Sequence, residues 1–158
     1  MIILCPGSAK SQLFKRWPAE KFAKLGTELI KLNHEVEVLI GKEEENLMPF
    51  FYELKVHTRL PIKEVRNLLL KTDLCICNDS FLMHLSSLLD VKTLAIYGPT
   101  DPKRTLPPEV NMIQSPLFSD TRPCWGKEYY GKCNGDICTC LDGLEVENLI
   151  QKVLEILT

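Results

Sequence analysis

The sequence lacks any uninterrupted apolar run long enough to cross a bilayer, which takes about 20 residues. Its N-terminus, MIILCPGSAK, is short and has no basic start, so it does not read as a secretory signal. Neither charge dominates: 19 Lys and Arg stand against 21 Asp and Glu, a formal net charge of −2. That balance excludes a broad electrostatic attraction to nucleic acid or anionic lipid. Neither G-x-G-x-x-G nor G-x-x-x-x-G-K-[ST] occurs, which removes the dinucleotide fingerprint and the P-loop. There is no internal repeat, no low-complexity segment and no linker. The 158 residues therefore read as one domain with a hydrophobic core.

Cysteine, by contrast, is plentiful, with seven residues. The odd count and the missing signal argue against a secreted disulfide scaffold and for a reducing, cytoplasmic setting. Cys5, Cys75 and Cys77 lie in apolar runs and read as buried small hydrophobes. Cys124, Cys133, Cys138 and Cys140 cluster near the C-terminus, separated by eight, four and one residues. Structural zinc uses C-x₂₋₄-C pairs, and Cys138-Thr139-Cys140 is too close for that type. Free thiols packed in a loop are the favoured reading. Zinc and a disulfide formed in air are the alternatives.

Short β-type runs alternate with amphipathic stretches. Strands are predicted at Ile2–Cys5, Val36–Ile40, Leu74–Cys77 and Thr93–Tyr97, with weaker ones at Glu53–His57 and Val110–Ile113. A helix is predicted from Pro18, which suits a first helical position, and Asn33-His34 ends it. Its inward face carries Phe22, Leu25, Leu29 and Leu32. Glu43, Glu44 and Glu45 suit the positive end of a short helix. Another helix starts near Pro61 with Ile62, Val65, Leu69 and Leu70 facing inward. Ser80–Leu89 forms the next. The last is Leu144–Leu157, with Val146, Leu149, Ile150, Val153 and Leu157 on one face, after an irregular Cys-rich segment at 114–143. The alternation implies an α/β class: a doubly wound, mainly parallel sheet with helices on both faces.

Such a sheet binds ligands beyond the carboxyl ends of its strands, at a topological switch point. The residues expected on that rim are Pro6-Gly7-Ser8 with Lys15, then Gly41-Lys42-Glu43. Asn78-Asp79-Ser80 with His84 and Gly98-Pro99-Thr100-Asp101 complete it. Their chemistry suits a nucleoside diphosphate. Helix-start amides at Ser80 favour phosphate oxygens, Lys15 offers a compact positive charge, and Glu43 can accept hydrogen bonds from two sugar hydroxyls. His84 is four residues after Ser80, so both can face one ligand. Each residue has a structural alternative. Asp79 reads as a helix N-cap, the better bet on spacing alone. His84 reads equally as a partly buried, satisfied histidine, Lys15 as a solvated surface charge, and Glu43 as a helix N-terminal acid. Trp17 reads as a packing anchor and Gly98-Pro99 as a turn. The pattern alone yields a phosphate-binding α/β domain.

The ordered segments go further. Pro6-Gly7-Ser8 with Lys15-Arg16-Trp17-Pro18, Gly41-Lys42-Glu43, Asn78-Asp79-Ser80-Phe81-Leu82-Met83-His84-Leu85 and Tyr97-Gly98-Pro99-Thr100-Asp101-Pro102 follow one another along nearly the whole chain. Together they resemble the C-terminal domain of the heptosyltransferase family, glycosyltransferase family 9, which adds heptose to the lipopolysaccharide core. The third segment is similar to the family's D-[ST]-G-x-x-H-L motif, and the fourth matches its aromatic-GPTDP turn.

The resemblance implies a Rossmann-like half of a two-domain GT-B fold, the half that holds an ADP-heptose-like donor. The other half, an N-terminal domain that binds a lipid-linked saccharide acceptor and supplies the base, is expected to be missing here, so this chain by itself is expected to be incomplete and inactive. By resemblance, Ser8 and Lys15 hold the diphosphate and Glu43 the ribose, while Asp79, Ser80, Phe81 and His84 line the donor pocket and Thr100 supports its rim. The implied reaction is inverting displacement at the anomeric carbon with ADP leaving, and Lys15 and His84 stabilise the departing phosphate. No cofactor or metal is expected. The expected location is cytoplasmic, peripheral at the inner membrane in the full enzyme. Phe81 departs from the family's glycine and puts the donor's identity in question. Two other readings stand beside this one: a non-catalytic nucleotide-binding module, and the donor domain of a UDP-sugar GT-B transferase.

Overall fold

Four apolar runs are buried at every residue: β1 (Ile2–Cys5), β2 (Val36–Ile40), β4 (Leu74–Asn78) and β5 (Thr93–Tyr97). Strands covered on both faces have no polar side to alternate with, which is why they read as continuous hydrophobic runs. Two partly exposed strands, β3 (Lys55–Thr58) and β6 (Asn111–Gln114), close the edges. The computed structural model describes residues 1–115, 123–124, 126–128, 130–132 and 139–158. All pairings are parallel, in the order β3-β2-β1-β4-β5-β6.

The helices are α1 (Ala19–Lys31), α2 (Ile62–Leu69), α3 (Phe81–Leu88), the single turn α4 (Pro102–Thr105) and α5 (Val146–Leu157), with 3₁₀ segments at Lys10–Lys15 and Lys42–Phe51. Alternation along the strands sorts the core into two layers. Ile2, Leu4, Val38, Ile40, Ile76 and Ile96 pack with Phe22, Leu25 and Leu29 of α1 and Leu149 and Val153 of α5. Ile3, Cys5, Leu39, Cys75, Cys77 and Tyr97 pack with Val65 and Leu69 of α2 and Met83 of α3. Each such Leu, Ile or Phe contributes about 1.5–3 kcal/mol relative to exposure. Cys5 and Cys75 touch, with sulfurs 3.9 Å apart. The Cys75 sulfur and burial push the Cys5 thiol well above its ordinary range, so it behaves as a small apolar group, as expected.

Several boundaries and faces differ from the sequence expectation. Leu32 is 46% exposed because it caps α1 beyond the last packed turn. Ile62 and Leu70 are 59% and 50% exposed, at the two ends of α2, where only Val65 and Leu69 reach the sheet. Pro18 is the N-cap of α1 and precedes its first turn. The acidic segment winds as a 3₁₀ helix containing Pro49, which has no backbone N–H for a regular helix. Asn33 ends α1 in the left-handed region, at φ 65°. Its N–H donates to the Ile30 carbonyl and that of His34 to Leu29, a Schellman closure. Cys133 and Cys138 lie outside the described residues. No helix among those described is long and apolar enough to cross a membrane.

The strand order reverses beside β1: the chain runs outward through β2 and β3, then returns to β4 on the other side. The carboxyl ends of β1 and β4 therefore diverge into loops that cross to opposite faces, leaving a crevice.

Candidate functional site

A cleft of about 760 Å³ opens at this crevice. Its walls come from the loop after β1 (Gly7, Ser8, Lys10), the end of β2 (Leu39, Gly41, Lys42, Glu43, Glu44), the β3–α2 connection (Arg59, Leu60, Ile62, Val65) and the start of α3 (Ser80, Phe81, Leu82).

Three side chains form a network at its polar end, Ser8 and Glu44 lining the cleft and Arg16 joining them from behind. Ser8 Oγ donates to the Gln12 carbonyl at 3.0 Å and accepts from Arg16 Nε at 3.1 Å. Arg16 also donates to the Ser8 carbonyl at 2.8 Å and to Glu44 Oε1 at 3.4 Å. Glu44 Oε2 in turn accepts the Gly41 N–H at 2.8 Å. One guanidinium thus ties the β1 loop to the turn after β2, using the fork geometry that Lys does not have. The Glu44 carboxylate lies directly over Gly7, and a Cβ there would sit 2.0 Å from Oε1. Glycine at this position makes room for the carboxylate.

A second network lies beneath the rim. Asp79 Oδ2 accepts from Lys15 Nζ at 2.9 Å and from Thr100 Oγ1 at 2.6 Å, and all three residues are buried. Asn78, fully buried, donates to the Pro6 and Gly7 carbonyls at 2.8 and 3.2 Å and accepts the Trp17 N–H at 3.0 Å. Its three bonds join the end of β4 to both arms of the loop after β1. Trp17 Nε1 donates to the Leu144 carbonyl at 2.9 Å, so this ring is the packing anchor expected. The TDP turn divides its work. Thr100 holds Asp79, Asp101 caps α4 by accepting the Lys103 N–H at 3.0 Å, and Pro102 takes the first turn.

The expected site residues are therefore distributed unevenly. Ser8, Glu43, Ser80 and Phe81 line the cleft, whereas Lys15, Asp79 and Thr100 form the buried support beside it. His84 is exposed on α3, one turn beyond Ser80, and is not part of the lining. Three structural alternatives change as well. The N-cap of α3 is Ser80, because the Asp79 carboxylate is occupied by Lys15 and Thr100. Lys15 is a buried ion-pair partner, where a solvated charge was the alternative, and His84 is not partly buried. Glu43 does stand in the first turn of its helix, with its side chain 66% exposed and 3.5 Å from Lys10 Nζ.

Sequence reading gave no site role to Lys10 or Arg16, read Glu44 only as a helix-start acid, and placed Asn78 on the rim without a function. Lys10 carried a signal, since it follows the first strand by five residues. Asn78 carried one too, as the polar residue ending an apolar strand. Arg16 and Glu44 carried none, because their partners are 8 and 28 residues from Arg16. Among the described residues, no group of three or more His, Cys, Asp or Glu side chains is placed to hold a metal ion.

The family model for glycosyltransferase family 9 (heptosyltransferase) matches residues 1–133. The chain is 30% identical over 155 residues to lipooligosaccharide heptosyltransferase 2 of Campylobacter jejuni, covering 91% of this chain and 48% of that protein. Its fold is similar to that of E. coli ADP-heptose lps heptosyltransferase II, with a TM-score of 0.76 at 19% identity over 99% of this chain and 46% of that one. It is also similar to E. coli heptosyltransferase WaaC with ADP, with a TM-score of 0.73 at 20% identity over 98% and 43%. The chain spans about half the length of the Campylobacter relatives it matches. The family match covers most of the 158 residues, and the strand order and rim loops accord with it: the chain belongs to glycosyltransferase family 9, the heptosyltransferases.

Proposed function

We propose that this chain holds the nucleotide-sugar donor of a glycosyl transfer in lipopolysaccharide core biosynthesis, an ADP-sugar of the heptose type. The carrying observation is the cleft at the switch point, whose lining passes from polar to apolar in the way a nucleotide does. The loop after β1 and the turn after β2 bring Ser8, Lys10, Lys42 and Glu43, and the α2 and α3 starts bring Leu60, Ile62, Val65, Phe81 and Leu82. A diphosphate fits the first region, a ribose fits Glu43, and a base fits the second.

Lys10 is the exposed cation of the β1 loop, and its only described ion pair, with Glu43, is long at 3.5 Å. It is the side chain best placed to meet the diphosphate. Ser80 adds the start of α3, whose N-cap makes no side-chain hydrogen bond to the first-turn amides; the Met83 N–H donates to the Ser80 carbonyl, which leaves those of Phe81 and Leu82 for phosphate oxygens. Lys15 supports the donor from below: its charge is paired with Asp79, whose same oxygen accepts from Thr100, and this chain of contacts keeps the loops after β1, β4 and β5 in register. His84, exposed one turn into α3, is available to the part of a donor that extends out of the cleft. In the inverting displacement, the anomeric C–O bond breaks with its electrons passing to the departing diphosphate, where Lys10 and the α3 amides stabilise the developing charge. The acceptor and the base that deprotonates it would come from the acceptor half of a complete enzyme.

Titration calorimetry with ADP and with UDP tests this reading. ADP is expected to bind more tightly than UDP. Absence of binding by either at millimolar concentration would refute the donor role, and a preference for UDP would replace the sugar-nucleotide class.

A further inference from the structure

Phe81 is the first residue of α3 and lines the cleft, yet its side chain is 63% exposed. Ile62, the first residue of α2, lines the same cleft and is 59% exposed. Both helices pack on the same face of the sheet, and both open onto the cleft at their N-termini. Four further apolar residues line the same cleft: Leu39 and Val65 are buried, and Leu60 and Leu82 are half-buried. Scattered exposed apolar residues are ordinary on a protein surface. Two that line one cleft with four other apolar residues, together with Lys10 and Glu43, give it an apolar part and a polar part.

Of the parts of a nucleoside diphosphate sugar, only the base has two flat, weakly hydrated faces. We propose that Phe81 is the stacking wall of the apolar part: its ring covers one face of the donor's nucleobase and makes the cleft favour a purine over a pyrimidine. The assignment rests on the donor reading above and deepens it. A ring held at a helix start has two side-chain torsions to order on binding, so little conformational freedom is lost when a base lands on it. Every base offers a π-face to an aromatic ring, and preference comes from stacking strength, which a larger base raises by offering more area to cover. Phe81 thereby contributes to discrimination without donating or accepting any hydrogen bond.

The test compares wild type with Phe81→Gly, Phe81→Leu and Phe81→Trp, using ADP, UDP, adenosine and inorganic pyrophosphate as probes in calorimetry. Phe81→Gly is expected to weaken ADP and adenosine by about 5- to 150-fold, the range for losing one stacked base. Pyrophosphate binding should stay unchanged, which also shows that the variant is folded. Phe81→Leu should lose most of the ADP-over-UDP preference, and Phe81→Trp should keep it. Equal or tighter binding of ADP and adenosine by Phe81→Gly overturns the assignment while leaving the donor cleft standing. Failure of wild type to bind either ADP or adenosine overturns both.

Discussion

Lys15 Nζ lies 2.9 Å from Asp79 Oδ2, with both side chains buried and the Thr100 hydroxyl on the same oxygen. The lysine expected to meet a phosphate joins the loop after β1 to the end of β4 through this pair. The distinction matters because a buried charge pair and a ligand-facing charge fail differently when one partner is removed.

Lys15→Met leaves the Asp79 carboxylate buried and unpaired. Breaking a buried pair from one side costs about 3–5 kcal/mol, so urea denaturation should show a loss of that size. Adding Asp79→Asn should recover part of it, since the orphaned charge is gone. A near-wild-type midpoint for Lys15→Met, with weakened ADP binding, would return Lys15 to direct phosphate contact.

Lys10→Ala should show the opposite pattern. Its side chain is 81% exposed, so stability should not move. ADP binding should weaken roughly three- to tenfold, an exposed charge–phosphate contact being well screened. Adenosine binding should be unaffected, because the loss lies at the diphosphate. Equal weakening of adenosine and ADP in calorimetry would place Lys10 elsewhere.

Gly7→Ala drives a Cβ into the Glu44 carboxylate. The carboxylate can swing away only by giving up the Gly41 N–H and the Arg16 guanidinium. ADP affinity is expected to fall, with stability reduced by about 1–3 kcal/mol. Glu44→Ala in the same chain should relieve the clash, so the double variant should be less impaired than the sum of the single ones. Strict additivity would show that Gly7 and Glu44 do not meet.

Glu37 on β2 is buried and accepts from Lys55 at 2.7 Å and pairs with His57 at 2.5 Å on the edge strand. Burial works against its charged form, but the hydrogen bonds from Lys55 and His57 outweigh it, and the carboxyl sits below its ordinary range. A depressed carboxyl contributes stability that is fully present above its unfolded value and is lost as pH falls through the folded one. Wild type should therefore lose stability below about pH 4.3, the ordinary glutamate value. Glu37→Gln should be less stable at pH 7 and should lose less on acidification, measured by thermal midpoints from pH 7 to 3. Parallel curves for the two proteins would remove Glu37 from the acid response.

Much of this molecule could be read before it folded. Continuous apolar runs such as Leu74–Asn78 signal strands covered on both faces, and Asn33 marks the end of α1 through its tolerance of positive φ. Those features depend on the chain's own neighbours or on bulk burial, so they survive without knowledge of partners. The placing of the rim segments at strand ends followed from the same logic, and Ser8, Glu43, Ser80 and Phe81 do reach the cleft.

Which partner each rim side chain meets was decided only in three dimensions. Lys15 and Lys10 are both lysines after the first strand. One is buried because Asp79, 64 residues away, meets it, and the other stays exposed. Glu43 and Glu44 are adjacent acids, yet the winding of one 3₁₀ turn points Glu43 at solvent and lays Glu44 over Gly7. Sequence by itself determined the sheet, its two apolar layers and the edge at which the cleft opens, because burial and chain-local geometry decide those. Tertiary structure alone decided which charges are buried against one another and which stay exposed at the cleft, because that depends on angstrom-scale distances between segments far apart in the chain.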